Sequence, residues 1–257
     1  MSDHIRVLID QGVMRITFAR PEKKNAITNA MYGALADALS QAERDVSVRA
    51  VLFDAEGDAF TAGNDLGDFA AVASGALKRS EMRVHEFLAT LARARKPYVA
   101  AVTGLAVGVG VTMLLHCDLV YVAEDAKLTT PFVGLALVPE AASSWLLPAR
   151  IGHARAYAMF ALGEAIDGRT AAAVGIANAA LPAREVKDKG LAAARALAKQ
   201  PAGALQATKA LMRDAEAIAA VMARESEIFT ARLKTAEAAE AFQAFAQRRA
   251  PDFTKIA

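Results

Sequence analysis

Two glycine-rich stretches hold the backbone groups most able to take part in chemistry. One is residues 60–66, FTAGNDL, and the other is residues 103–112, TGLAVGVGVT. Where a glycine turn leads into a helix, backbone N–H groups point outward without a helical partner. Two such groups, near Asn64 and at Val109, would together suit a carbonyl oxygen that gains negative charge. Removing one such donor typically costs about 3 kcal/mol.

The same glycines have other interpretations. Close packing of a strand against a helix is one, and it stays open. Dinucleotide binding fails because the third glycine of GxGxxG would fall at Met113, and because no acidic ribose-binding residue stands about 20 residues on at a second strand end. Phosphate binding of the Walker type fails because the chain lacks the Gly-Lys-Ser/Thr sequence.

Glu140 is a carboxylate in a setting that suits proton transfer. It stands in LVPEAASSW, residues 137–145, among mostly apolar neighbours. An apolar setting would raise its pKa towards neutrality and make it a better base, whereas the N-terminus of a helix would lower that pKa. The alternative is an ordinary first-turn glutamate in a helix with Pro139 at its first position.

The elements that must position these residues follow from hydrophobic periodicity and turn signals. The chain opens with a hairpin over 5–10 and 13–18, and Thr28 can cap a helix over 29–44. The pattern then predicts strands at 48–54, 97–102 and 119–123, short extended pieces at 127–131 and 133–138, and helices at 81–94, 110–119 and 139–148.

An internal repeat and a change of composition organise the chain. A strand, a glycine loop and a helix occur over 51–66 and again over 98–112. From Ile151 the chain is alanine-rich and helical, and the β signals have stopped by about residue 200. We therefore expect an α/β core over residues 1–199 and a helical region over residues 200–257.

Composition limits the classes of function. The chain has 257 residues, 54% of them hydrophobic, and a formal net charge of +2 without any block of five like charges, so a nucleic-acid partner is not expected. No run reaches the roughly 18 apolar residues of a membrane span, and the N-terminus lacks a signal pattern. The single cysteine, Cys117, fits a reducing cytoplasm. The four histidines lack metal-ligand spacing, so no metal is expected.

Several motifs together resemble the enoyl-CoA hydratase/isomerase (crotonase) family. They are residues 60–66, 104–110 and HCDL at 116–119, with Arg20-Pro21 and Asn25-Ala26 near the start and Pro201 and Thr208-Lys209 near the end. The resemblance covers nearly the whole chain. It implies a crotonase-like spiral of ββα units with a helical C-terminal trimerisation region, and therefore a homotrimer or a dimer of trimers. It also implies acyl-CoA thioester substrates, with no cofactor beyond the CoA that the substrate carries.

The resemblance also implies roles for particular residues. The oxyanion hole would be the backbone N–H groups of Asn64 and Val109. The family's hydratases carry two glutamates, which would fall at Thr112 and Phe132, and neither position holds a carboxylate here. Residues 130–144 instead resemble the peroxisomal-type Δ3,Δ2-enoyl-CoA isomerases, in which one glutamate, here Glu140, moves the proton. A hydratase-like lyase and a non-catalytic acyl-CoA binding protein stay as alternatives.

Contacts to the substrate are implied in the same way. The family uses its first loop and its first glycine loop for CoA, and it has an apolar acyl tunnel. In this sequence the substrate-binding candidates are Lys23, Lys24, Ala62, Asp65, Leu66, Gly108 and Phe132.

Overall fold

The computed structural model describes residues 2–65, 67–68, 78 and 81–256. Strands in this part of the chain form two sheets. The strands are β1 (Ile5–Asp10), β2 (Val13–Phe18), β3 (Ala50–Ala55), β4 (Ala59–Thr61), β5 (Tyr98–Val102), β6 (Leu105–Val107), β7 (Leu119–Ala123), β8 (Lys127–Thr129), β9 (Ile166–Asp167) and β10 (Ala179–Leu181). The larger sheet has the order β1-β2-β3-β5-β7-β10, and the smaller has the order β4-β6-β8-β9.

Helices cover the sheets and form the C-terminal end. They are α1 (Asn29–Arg44), α2 (Val84–Ala92), α3 (Val109–Thr112), α4 (Ser143–Ile151), α5 (His153–Tyr157), α6 (Gly168–Ala173), α7 (Ala183–Ala198), α8 (Ala202–Met212), α9 (Ala215–Arg232) and α10 (Ala236–Ala246). A π-helical turn, Ala158–Leu162, continues α5. No helix among the described residues is long and apolar enough to cross a membrane.

Successive pairs of strands divide between the two sheets. The first strand of each pair, β3, β5 or β7, lies in the larger sheet, and the second, β4, β6 or β8, lies in the smaller. The pairs stack in parallel, with Val51 opposite Tyr98 in one sheet and Ala59 opposite Leu105 in the other. This is the repeat that the sequence indicated over 51–66 and 98–112, and it produces a spiral.

The core lies on both faces of the larger sheet, because β3 and β5 are buried at every position. Helix α7 packs across one face so closely that a Cβ added at Gly190 would meet Ala101 Cβ at 2.9 Å. Thr28 caps α1 as predicted, since its hydroxyl accepts the Met31 N–H at 3.3 Å. The hairpin of β1 and β2 is also confirmed.

Five predictions about elements were wrong. The region from Ile151 was expected to be helical, but it also contains the strands β9 and β10. Strand β6 stands between β5 and the helix that was expected to follow it directly, and the helix predicted to 119 is α3 followed by a 3₁₀ turn at Met113–His116. Residues Val133–Leu135 form a 3₁₀ turn rather than an extended piece. Helix α4 begins at Ser143 instead of at Pro139, and it continues through Pro148 to Ile151. The division at residue 200 stays a prediction.

Candidate active site

The two glycine stretches lie against each other, as their chemistry requires. Strands β4 and β6 pair in parallel, and this places the loop after each strand at the same edge of the smaller sheet. Gly63 has a φ of +86°, and a Cβ there would stand 2.8 Å from the Val107 carbonyl oxygen. Gly110 faces Thr61 as closely, because its Cβ would meet Thr61 Cγ2 at 2.6 Å. Glycine is therefore needed at both positions for the loops to approach.

Backbone hydrogen bonds single out two N–H groups at this junction. Gly63 N donates to Thr61 Oγ1 at 3.0 Å and Asp65 N donates to the Ile27 carbonyl at 2.9 Å, whereas Asn64 N between them has no recorded acceptor in the described chain. Val109 is the first residue of α3, and its N–H likewise has no recorded acceptor among the described residues. Both residues have ordinary negative φ angles. The pair of donors predicted from the sequence is thus available.

Neighbouring side chains hold the glycine loop that follows β4. The Tyr32 hydroxyl donates to the Asn64 side-chain oxygen in a short hydrogen bond. Arg20 Nη1 donates to Asp65 Oδ2 at 2.6 Å, and the other oxygen of Asp65 accepts the Gly67 N–H at 2.9 Å. Asp65, predicted to contact substrate, therefore uses its carboxylate to hold the loop.

Glu140 lies in the loop before α4, so the first-turn interpretation of this residue is wrong. Its Oε1 accepts a hydrogen bond of 2.5 Å from Thr112 Oγ1. Its Oε2 is buried and has no hydrogen-bond partner among the described residues. Burial raises the pKa of Glu140 to about 7, the Thr112 hydrogen bond acts against this, and the charge of Glu225 adds to it. A carboxyl group with this pKa can both take and return a proton at neutral pH.

A cavity of about 300 Å³ opens in front of Glu140 and Asn64. Helices α2 and α9 supply most of its wall, and the lining is largely apolar, as in a site for an acyl chain. Glu140 is the only carboxylate among the described residues that line it. The remaining lining residues are Met82, Val84, His85, Leu88, Ala89, Ala92, Arg93, Ala141, Ala219, Met222, Ala223, Ser226, Phe229 and Leu233.

Comparisons with known proteins agree with this architecture. The family described as "Enoyl-CoA hydratase/isomerase" matches residues 8–256. The chain belongs to this family. Within it, the chain is 33% identical over 260 aligned positions to "1,2-epoxyphenylacetyl-CoA isomerase" of Escherichia coli (strain K12), and 99% of each chain is covered.

Two further relatives place the chain within the hydratase/isomerase family. It is 35% identical to "Enoyl-CoA delta isomerase 2" of Rattus norvegicus, covering 96% of this chain and 64% of that protein. It superimposes with a TM-score of 0.92 and 39% identity on an enoyl-CoA hydratase/isomerase from Pseudoalteromonas atlantica T6c, covering 98% of this chain and all of that one. The fold is therefore the crotonase spiral, and the chain is an enzyme of the hydratase/isomerase kind.

The other predicted substrate contacts lie in different places. Lys23 and Lys24 are exposed in the loop that follows β2, and the Lys24 carbonyl accepts the Ala62 N–H at 2.8 Å, so this loop adjoins the glycine loop that contains Gly63. Gly108 precedes α3 with a φ of +55°. Phe132 packs against Phe160, with ring centroids 5.9 Å apart, and does not line the cavity described above. Leu66 lies outside the described residues.

Sequence reasoning missed the groups that hold the Glu140 loop. His116, to which no role was given, directs Nε2 at the Ala141 carbonyl over 2.8 Å, and Arg213 contacts its Nδ1. Burial and the charge of Arg213 lower the pKa of His116 to about 3, which keeps the imidazole neutral. Glu225 was not singled out, although it interrupts an apolar face formed by Ile218, Met222 and Phe229 at helical spacing. A single charged residue on an apolar helix face was the feature of the sequence that could have pointed to Glu225.

No group of three or more His, Cys, Asp or Glu side chains that could hold a metal occurs in the described part of the chain.

Proposed function

We propose that this enzyme is a Δ3,Δ2-enoyl-CoA isomerase in which Glu140 moves one proton between C2 and C4 of the acyl group. The observation that carries the proposal lies within the described residues: one carboxylate, with a pKa of about 7, faces an apolar cavity, and the N–H groups of Asn64 and Val109 have no acceptor there. The delta isomerase relative described above supports the same reaction class.

The chemistry fits one carboxylate. Glu140 Oε2 takes the proton from C2 of a 3-enoyl thioester, and the electron pair moves through the conjugated system to the thioester oxygen. The resulting dienolate accepts the proton back at C4, which leaves the double bond between C2 and C3. Because the proton is taken and returned, the reaction consumes no water and no redox equivalent.

The backbone donors of Asn64 and Val109 are proposed to bind the thioester oxygen. Charge on this oxygen is largest in the dienolate, so two fixed N–H donors stabilise the intermediate more than the substrate. The N-terminus of α3 adds positive potential at Val109, although the helix has only four residues. The exposed Lys23 and Lys24, in the loop bonded to Ala62, are proposed to meet the phosphates of CoA.

Hydration would need a second acid or base, because water must be activated while a proton is delivered to carbon. Thr112 and Phe132 stand where the family's hydratases have glutamates, and neither can fill that role. His85 also lines the cavity, and among the described lining residues it is the acid–base side chain to test besides Glu140.

The decisive experiment follows deuterium exchange at C2 and C4 of 3-enoyl-CoA esters, together with isomerisation, in wild type and in Glu140→Gln. We expect a loss of at least a thousandfold in the variant with CoA-ester binding retained. Glu164→Gln, at an exposed glutamate, is the matched control and should behave as wild type. His85→Gln should keep both exchanges.

Three outcomes would contradict the proposal. Isomerisation retained in Glu140→Gln would show that Glu140 is not the base. Rapid hydration of crotonyl-CoA by wild type, without isomerisation, would favour a hydratase. Tight acyl-CoA binding with no exchange at C2 in wild type would point to a binding protein.

A further inference from the structure

The backbone directly after Glu140 adopts a conformation that alanine rarely takes. Ala141 has a φ of +59° and Ala142 a φ of +56°, and α4 starts at the next residue. A left-handed conformation costs a residue with a side chain about 1–2 kcal/mol. Two in succession persist only where surrounding groups hold them. The direction of the Glu140 side chain depends on this turn.

Glu225, on α9, holds the turn through two hydrogen bonds to its backbone. Its Oε2 accepts the Ala142 N–H at 2.6 Å, and its Oε1 accepts the Ser144 N–H at 2.9 Å. Glu225 is buried, with the residue 6% exposed, so the bond from Ala142 forms away from water, where charge-assisted hydrogen bonds are strongest, while the bond from Ser144 is partly buried. Both carboxylate oxygens are therefore committed to the backbone next to Glu140.

We propose that Glu225 is a positioning residue that locks the Ala141–Ala142 turn and thereby aims the Glu140 carboxylate into the acyl cavity. This rests on the proposed function, in which Glu140 is the base. Glu225 is not one of the motif residues that carry the family resemblance, and it does not line the cavity.

The same contacts separate Glu140 from the start of α4. The free N–H groups at a helix N-terminus stabilise a negative charge. Here two N–H groups at that end bind Glu225, so they do not bind the Glu140 carboxylate or stabilise its negative charge through hydrogen bonds. The Thr112 hydroxyl lowers the pKa of Glu140 and the Glu225 carboxylate raises it. The charge of Glu140 in turn raises the pKa of Tyr32.

Helix α9 carries both Glu225 and residues that line the acyl cavity. Met222 and Ser226, three residues before and one residue after Glu225, both line the cavity. The helix that contacts the acyl chain is therefore the helix that fixes the loop of the base.

The test is Glu225→Gln, with Glu227→Gln, an exposed glutamate on the same helix, as the matched control. Glutamine keeps the shape of glutamate but has one acceptor oxygen, so one of the two N–H groups loses its partner. We expect kcat for C2 and C4 proton transfer to fall ten- to a hundredfold, because small displacements of a catalytic group have effects of this size. KM should change less than twofold.

A pH profile distinguishes positioning from general structural damage. Removal of the Glu225 charge lowers the pKa of Glu140, so the acid limb of the kcat profile should move to lower pH in Glu225→Gln and stay in place in Glu227→Gln. A folded Glu225→Gln enzyme with wild-type kcat and an unmoved limb would overturn the proposal.

Two more variants keep the test decisive. Glu225→Asp retains the charge but cannot reach both N–H groups; it should lower kcat without moving the acid limb, and wild-type kcat there would also overturn the proposal. Ala142→Gly removes the strain of the left-handed turn, so it should recover part of the activity lost in Glu225→Gln. If Glu140→Gln keeps activity, the proposed function fails; if only Glu225→Gln does, the positioning role alone fails.

Discussion

The Thr112 hydroxyl donates a 2.5 Å hydrogen bond to the Glu140 carboxylate across 28 residues of sequence. Thr112 is the last residue of α3, and Val109, one of the two proposed oxyanion donors, is the first. A single turn of helix therefore connects the proposed base to the proposed oxyanion hole. The position at which the resemblance would place a hydratase glutamate therefore holds a threonine that binds Glu140.

Replacing Thr112 with valine should shift the pH dependence of the reaction. The hydroxyl lowers the pKa of Glu140, so its loss raises that pKa further above 7 and moves the acid limb of the kcat profile to higher pH. We expect kcat to fall about tenfold at pH 7 and much less at pH 9, since an ordinary hydrogen bond to a charged group is worth about 1.5–3 kcal/mol. Thr112→Ser, which keeps the hydroxyl, should retain the wild-type limb. A limb that moved to lower pH in the valine variant would contradict the assignment.

The raised pKa of Glu140 also predicts that ionisation of this residue lowers the free energy of unfolding. A carboxyl whose pKa is about 7 when folded, against its usual 4.5, stabilises the fold fully below pH 4.5 and loses that contribution as pH rises through 7. The whole difference is about 3 kcal/mol. Glu140→Gln does not ionise, so its stability relative to wild type should increase between pH 5 and pH 8. Urea denaturation at the two pH values measures this, and Glu164→Gln should show no such change.

Gly63→Ala should separate the two loops of the oxyanion site. The added Cβ would stand 2.8 Å from the Val107 carbonyl oxygen, and the φ of +86° adds backbone strain. We expect kcat to fall a hundredfold or more, as when one oxyanion donor is displaced. Gly152→Ala is the control, because its φ is +83° but nothing lies within 4 Å of its Cβ. Similar losses of kcat in both variants would show that strain, and not the approach of the loops, is responsible.

The internal repeat and the glycine loops could be predicted because their signals are local, whereas the spiral was implied by the family resemblance. Alternating or continuous apolar runs mark β1, β2, β3, β5 and β7, and a glycine loop after each of the central strand pairs marks the repeat. Gly63 and Gly110 could also be recognised from the sequence, because the close contacts at these positions require glycine. The strand β6 was missed because its three residues lie between Gly104 and Gly108, and closely spaced glycines indicate a loop.

The environment of Glu140 could not be predicted in the same way. The sequence around Pro139 favours a helix, but hydrogen bonds from Ala142 and Ser144 to Glu225, 81 or more residues away, delay the helix to Ser143. Local propensity carries no information about a partner so distant in sequence. For the same reason Thr112 could be recognised as lacking a carboxylate but not as the donor to Glu140.

Lys209 anchors α8 to the core through its ammonium group. Its ammonium donates to Asp118 Oδ2 at 2.7 Å and to the Lys96 carbonyl at 2.8 Å, and it lies 4.7 Å from the centre of the Tyr98 ring. The residue is 9% exposed, and burial lowers its pKa, although Asp118 opposes this.

Lys209→Met should lower the free energy of unfolding by about 1.5–3 kcal/mol, because Asp118 and the Lys96 carbonyl lose a charged hydrogen-bond donor. The exposed Lys199→Met is the matched control and should change it by less than about 0.5 kcal/mol. Adding Asp118→Asn to Lys209→Met should cost less than the sum of the two single substitutions, since each removes the same ion pair. Additive losses in urea denaturation would show that Lys209 stabilises the core by packing alone.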